Sequence, residues 1–185
     1  MKGKRTGIEF KDHEVIITQQ EGLLVHFLKK PNSYFDCIKY INTNGILAIT
    51  GDYGNWIFCR EFHPSAKGDD VSDSYWNEKL RMASTQEPKE FDPDGTRERI
   101  KELLRNEESD EELTEEEKEY LEGCLDNIDS SGWEYEYYAH TNNCGRFRDH
   151  DYVPLQKRNN YWLDAVYDGF EEICRRMKTG EISEK

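Results

Sequence analysis

The stretch ILAITGDYGNWIFC, Ile46 to Cys59, sets glycine and aspartate between two apolar runs. A phosphate-binding loop would lead from a strand through several glycines into a helix N-terminus, with a lysine or an acidic partner further on. Here Gly54 is followed by Asn55-Trp56-Ile57-Phe58-Cys59, aromatic and branched residues that continue as a second strand. The segment reads as a β-hairpin. Gly54, with Gly51 or Asn55, supplies the positive φ that a short antiparallel connection requires.

Outward from this hairpin, the first third of the chain reads as a meander. EVIITQQ and LLVHFLKK flank Glu21-Gly22, and FDCIKYIN and ILAIT flank Thr43-Asn44-Gly45, where Asn-Gly is a strong hairpin signal. NWIFCREF completes five strands. Apolar residues on both faces of the central strands call for a helical layer on one side. The expected fold class is α+β, an N-terminal antiparallel β-meander packed by C-terminal helices. One domain is expected over 1–185, with the sheet in 1–62, an acidic helical region in 63–132, and an edge strand and C-terminal helix in 133–180.

Within that frame VSDSYWNEKLRMAS reads as one helix capped at Ser72 or Asp73, and TQEPKEFDPDG as a loop ending in a cap at Asp92 before Pro93. NEESDEELTEEEKEYLEG holds two capping-box patterns, Ser109 with Glu112 and Thr114 with Glu117. WEYEYY alternates aromatic and acidic residues and reads as an edge strand. The clearest helix is NNYWLDAVYDGFEEICRRMKTG, capped by Asn160, with Trp162, Val166, Phe170, Ile173 and Met177 at helical spacing and Gly180 at its end.

Charge narrows the function classes. The 185 residues carry a net charge of −14, and the acidity is uneven: eight Lys/Arg against six Asp/Glu in 1–60, seventeen against thirty-three in 61–185. Such a surface repels a nucleic-acid backbone and argues against direct nucleic-acid binding. It favours a basic protein partner, although net acidity by itself also keeps a chain soluble. Glu111, Glu112, Glu115, Glu116, Glu117 and Glu119 are the expected partner-binding carboxylates, and the same acids at a helix start also suit the helix dipole. Tyr53 and Trp56, near the hairpin tip, are expected either to anchor a partner or to close the end of the core.

The five cysteines are scattered without a CxxC pair, so reduced thiols are expected rather than a disulfide framework or a zinc ribbon. His140-x3-Cys144 lacks the second pair that a structural zinc site needs, and no metal or cofactor is expected. His63, His140, Cys144 and His150 are the residues an acid-base or nucleophilic site would use, in the alternative reading of a small RNA- or nucleotide-acting enzyme. No apolar run is long enough to span a membrane, and MKGKRTGIEF lacks the apolar stretch of a signal peptide, so a protein of the bacterial cytoplasm is expected.

GDYGNWIFCREF, VSDSYWNEKL and WLDAVYDGFEEICRRM together resemble a pattern in small acidic proteins encoded by phages and prophages of Gram-positive bacteria. Some proteins from that source are anti-CRISPRs that inhibit type II-A Cas9. The resemblance implies an inhibitor of a host nucleic-acid-binding defence protein, Cas9 or its guide-RNA complex, and it brings no catalytic motif. Clustered carboxylates can stand in for phosphates against the arginines of such a groove. A phage housekeeping role is the remaining alternative.

Overall fold

The computed structural model describes residues 5–67, 72–83, 87–105, 112–148 and 153–183. The elements, in chain order, are β1 (Glu14–Gln20), β2 (Leu23–Lys29), β3 (Cys37–Thr43), β4 (Ile46–Gly51), β5 (Trp56–Phe58), α1 (Asp73–Lys79), β6 (Leu80–Ala83), β7 (Lys89–Phe91), α2 (Pro93–Arg105), α3 (Glu115–Asp126), α4 (Gly132–Thr141), a short 3-10 helix (Gly145–Arg148), β8 (Lys157–Asn159) and α5 (Tyr161–Thr179). The fold is α+β. They form two compact units, residues 1–88 with 160–185, and residues 89–159.

In the first unit, β1 to β6 lie side by side in sequence order, every pair antiparallel. The hairpin read from Ile46 to Cys59 is present, with Gly51 at φ 144° and Gly54 at φ 90°. Strict alternation in β3 turns Ile38, Tyr40 and Asn42 into the core, beside Leu47 and Ile49 of β4 and Trp56 and Phe58 of β5. Against this face packs α5, through Leu163, Val166, Tyr167, Phe170, Ile173 and Cys174. The Tyr40 hydroxyl donates to the Val166 carbonyl at 2.6 Å. Gly169 permits that approach, because a Cβ there would meet Tyr40 Oη at 2.6 Å and Ile38 Cδ1 at 2.8 Å. Asn160 caps α5 and Gly180, at φ 76°, ends it, as the sequence indicates.

The long helix expected from Val71 to Ser84 is a correction. After α1, Leu80 turns extended and β6 pairs with β5, Ile57 opposite Met82. Without β6, β5 would leave a row of backbone donors and acceptors bare, and satisfying them outweighs helix propensity over four residues.

The second unit is helical. Ile100, Leu121, Cys124, Tyr135, Ala139 and Phe147 form its core, and β7 and β8 make a two-stranded ribbon. The cap at Asp92 is formed, Gly95 N–H donating to Oδ1 at 3.0 Å, and the capping box of Thr114 and Glu117 is closed in both directions. The box at Ser109 lies outside the described residues. TQEPKEFDPDG is not all loop, since Lys89–Phe91 is β7, which needs its distant partner β8 to form. The edge strand expected at WEYEYY is instead α4. Only Tyr135 of the three alternating aromatics is buried, together with Ala139 one turn on, while Trp133 and Tyr137 face solvent. A second capping box, Ser131 with Glu134, starts this helix, and that four-residue pattern is the signal that the period of two obscured.

Candidate functional site

The outward face of α3 is carboxylate. Glu112, Glu115, Glu116, Glu119 and Glu122 are exposed, and Lys118, paired with Glu115 at 2.7 Å, is the cation within that run. Glu117 differs: it is 4 % exposed and holds the unit together. Its Oε2 accepts Thr114 N–H at 3.0 Å, and its Oε1 accepts Arg146 N–H at 2.8 Å and Nε–H at 3.3 Å. Burial alone would raise the Glu117 pKa, but the two backbone donors and the Arg146 charge outweigh it and hold the carboxyl below its ordinary range. Glu117 is therefore a structural residue, not a free partner contact, and Glu111 lies outside the described residues.

On α4, Trp133 and Tyr137 are 73 % and 62 % exposed and stack on one another, ring centroids 5.9 Å apart and 20° from parallel. One turn separates them, so the pair follows from helical spacing. Bonds from the Tyr120 hydroxyl of α3 to Ala139 O, at 2.8 Å, and from the Tyr135 hydroxyl of α4 to Pro154 O, at 2.6 Å, fix both helices to the unit's interior. The unit thus presents carboxylates on α3 and flat rings on α4. An exposed aromatic pair of this kind costs apolar area in water and is a common anchor at interfaces.

Tyr53 and Trp56 do not fill the anchoring role. They are 7 % and 1 % exposed, and the Trp56 indole N–H donates to Tyr53 O at 2.9 Å, so both close the end of the first unit's core. Three of the four catalytic candidates lie among the described residues. His63 is exposed in the first unit, its Nε2 2.8 Å from Glu61 Oε2, whereas His140 and Cys144 belong to the second and His150 lies outside the described residues. The Cys144 thiol is buried and donates to Glu116 O at 3.4 Å; burial and the nearby carboxylates of Glu116 and Glu117 push its pKa up, the reverse of what a thiolate nucleophile requires. Among the described residues, no group of three or more His, Cys, Asp or Glu side chains is placed to hold a metal ion, and no helix is long and apolar enough to cross a membrane.

The first unit holds an open cleft of about 530 Å³. Beside it, Arg176 of α5 donates through Nη2 to Phe10 O at 2.6 Å and through Nη1 to His13 O, tying the segment before β1 to the helix. His13, 5 % exposed, lies with Nε2 3.0 Å from Asp36 O. A carbonyl only accepts, so Nε2 carries the proton and Nδ1, which has no partner among the described residues, is bare. Burial lowers the His13 pKa, against the opposing hydrogen bond to Asp36. Asp36, at φ 56°, pairs with Lys30 and accepts the Tyr53 hydroxyl at 3.2 Å. The Lys30 hydrogen bond holds the Asp36 carboxyl low, while burial and the Asp36 charge push the Tyr53 hydroxyl up to about 12. Tyr161 and Trp162, the first two residues of α5, and Phe35 complete the walls.

In comparisons with protein-family models, with curated proteins and with solved structures, nothing matches the chain. Its site residues therefore rest on their own geometry. The cleft had no compact sequence signal, because its walls come from four separated segments. The α4 pair had one, the Ser131 capping box, which places Trp133 and Tyr137 a turn apart on the same face.

Proposed function

We propose that the chain is a binding protein that blocks the cationic surface of a nucleic-acid-binding host protein, with α3 carboxylates meeting arginines and the α4 rings packing at the contact. The observation that supports this reading is the division of labour within one acidic run: Glu117 is buried and bonded within the unit, whereas Glu112, Glu115, Glu116, Glu119 and Glu122 are exposed beyond what a cap requires. Residues 89–159 hold ten Lys/Arg and twenty-one Asp/Glu, a net −11, so the field at this face opposes nucleic acid and attracts a basic protein. Carboxylates paired with arginines reproduce the charge and geometry of phosphate contacts. The resemblance to phage-encoded inhibitors makes an anti-CRISPR action on Cas9, in the bacterial cytoplasm, the specific form of the proposal.

The test is cleavage of a target duplex by guide-loaded Cas9 across a titration of the chain, with the guide RNA analysed from the same tubes. Inhibition is expected to saturate near equimolar protein with intact guide. It should weaken with added salt and with the combined reversal Glu115→Lys, Glu116→Lys and Glu119→Lys, and Trp133→Ala should speed dissociation. Full-rate cleavage at tenfold excess removes Cas9 as the target. Guide shortening at trace protein replaces binding with the enzyme reading.

A further inference from the structure

The first unit's cleft combines features that fit one class of ligand, independently of the acidic face on the second unit. Its carboxylates are Glu9, paired with Lys11 at 2.8 Å, Asp36, paired with Lys30, and Asp52, which has no ion pair among the described residues. His13 turns its Nε2–H to the Asp36 carbonyl rather than into the cleft. The lining is thus net negative, which disfavours an anion. The amide end of α5, which would otherwise attract one, is answered within the chain: Asn160 Oδ1 accepts Trp162 N–H at 2.9 Å and Asp164 sits in the first turn.

The walls exclude a second class. Phe35, Tyr161 and Trp162 are 75 %, 46 % and 36 % exposed, and the Trp162 ring stands 5.8 Å from Tyr53 and 5.5 Å from Tyr161. A purely apolar ligand would cover these rings but would also strip water from the carboxylates without replacing it. A compact inorganic cation would satisfy the carboxylates and leave the rings in water. An organic cation does both, since its charge is attracted to the ring faces and its alkyl groups cover them. The volume suits a small head group.

We propose that this cleft binds the head group of an organic cation, an alkylated ammonium or a guanidinium, among Phe35, Tyr161 and Trp162 and beside the carboxylates of Asp36 and Asp52. The chemistry is shared by a free quaternary ammonium compound and by an arginine side chain of a peptide. Asp52 is held for the task from β3, its Oδ2 accepting Cys37 N–H at 2.9 Å, and Asp36 is held by Tyr53 and Lys30.

The experiment titrates the full-length, nitrogen-15-labelled chain with choline chloride and, separately, with N-acetyl-arginine amide, against potassium chloride and sodium acetate at matched ionic strength. The Trp162 indole N–H is identified by its loss in Trp162→Phe, and the amides of Asp36 and Tyr53 report on the variants. Saturable shifts with at least one organic cation are expected, at an apparent Kd of about 1 to 10 mM. Trp162→Leu should weaken binding about fivefold, as loss of one cation–π contact does. Tighter binding of choline identifies a free quaternary ammonium as the ligand type, and tighter binding of the arginine derivative identifies a peptide side chain. Shifts no larger than those from potassium chloride overturn the proposal, as does saturable binding of acetate alone. Unchanged choline affinity in the folded double variant Asp52→Asn, Trp162→Leu overturns it as well.

Discussion

The two units of this chain solve the folding problem with different materials. Residues 1–88 and 160–185 carry eighteen acidic and fifteen basic residues, a net −3, and bury Tyr40, Trp56, Phe58, Trp76 and Phe170 between one sheet face and one long helix. Residues 89–159 carry the remaining −11, and their shorter helices lean on polar ties: the Tyr120 and Tyr135 hydroxyls on carbonyls, and Glu117 on Arg146 and two backbone donors. Aromatic rings make up much of the first unit's core, where stacked and edge-on contacts add to the burial of apolar area. Each unit also buries a bonded carboxylate: Asp168 in the first accepts Thr6 N–H at 2.9 Å and Arg5 N–H at 3.0 Å, and Glu117 in the second joins Thr114 to Arg146.

This contrast yields a ranked set of expectations. Truncating the first unit's core has the largest effect: Phe170→Ala should cost about 3 to 5 kcal/mol in denaturant unfolding, with protection lost at the amides of β2 to β4. A cost near that of a surface substitution would break the account of an aromatic-dominated core. Next comes the second unit's buried carboxylate, where Glu117→Ala should cost about 2 to 3 kcal/mol at pH 7, because Arg146 and two N–H groups lose their acceptor.

That second effect carries a pH signature. The Glu117 carboxyl is held below its ordinary range in the folded chain, so its contribution is complete above the unfolded value of about 4.3 and is lost as pH falls through the folded value. The stability gap between the parent chain and Glu117→Ala should therefore narrow on acidification below that point, read as converging denaturation midpoints. A gap that is constant from pH 7 to pH 3 would mean that packing, not charge, is what Glu117 supplies. The smallest effect is expected a few residues away. Reversing Glu115 and Glu119 to lysine should leave the unfolding midpoint nearly in place, because relief of repulsion offsets the lost carboxylate at the α3 start and the lost Glu115–Lys118 pair; under the proposed function the same reversals weaken partner binding.

Much of the architecture was legible in local patterns. The Asn-Gly turn, the glycines after Thr50, the alternation in β3 and the cap-to-glycine span of α5 each rest on contacts within a few residues, so they read directly from spacing. β6, β7 and β8 did not, because short strands exist only by virtue of partners that lie far along the chain: Leu80–Ala83 needs β5, and Lys89–Phe91 needs Lys157–Asn159. WEYEYY was ambiguous for another reason. An alternating run of six residues matches a strand and also fits a helix that buries only its middle aromatic, and packing of Tyr135 on Phe91, ring centroids 4.9 Å apart, decided between them.

The candidate sites divide along the same line. The acidic face was visible in the sequence, since a run that dense cannot be buried, and its exposed members are where charge alone would put them. What spacing could not distinguish was Glu117 from its neighbours, because its burial depends on Arg146, twenty-nine residues on. Trp56 and Tyr53 likewise went to the core because α5 and the segment holding Phe10 cover them. The sequence by itself determined the class, the meander, the helix caps and the sign of the field, all consequences of short-range stereochemistry and composition. Tertiary structure alone decided which aromatics stay in water, which carboxylate is buried, and that Phe35, Asp36, Asp52 and Trp162 line one cleft, because those outcomes depend on long-range packing that no local pattern encodes.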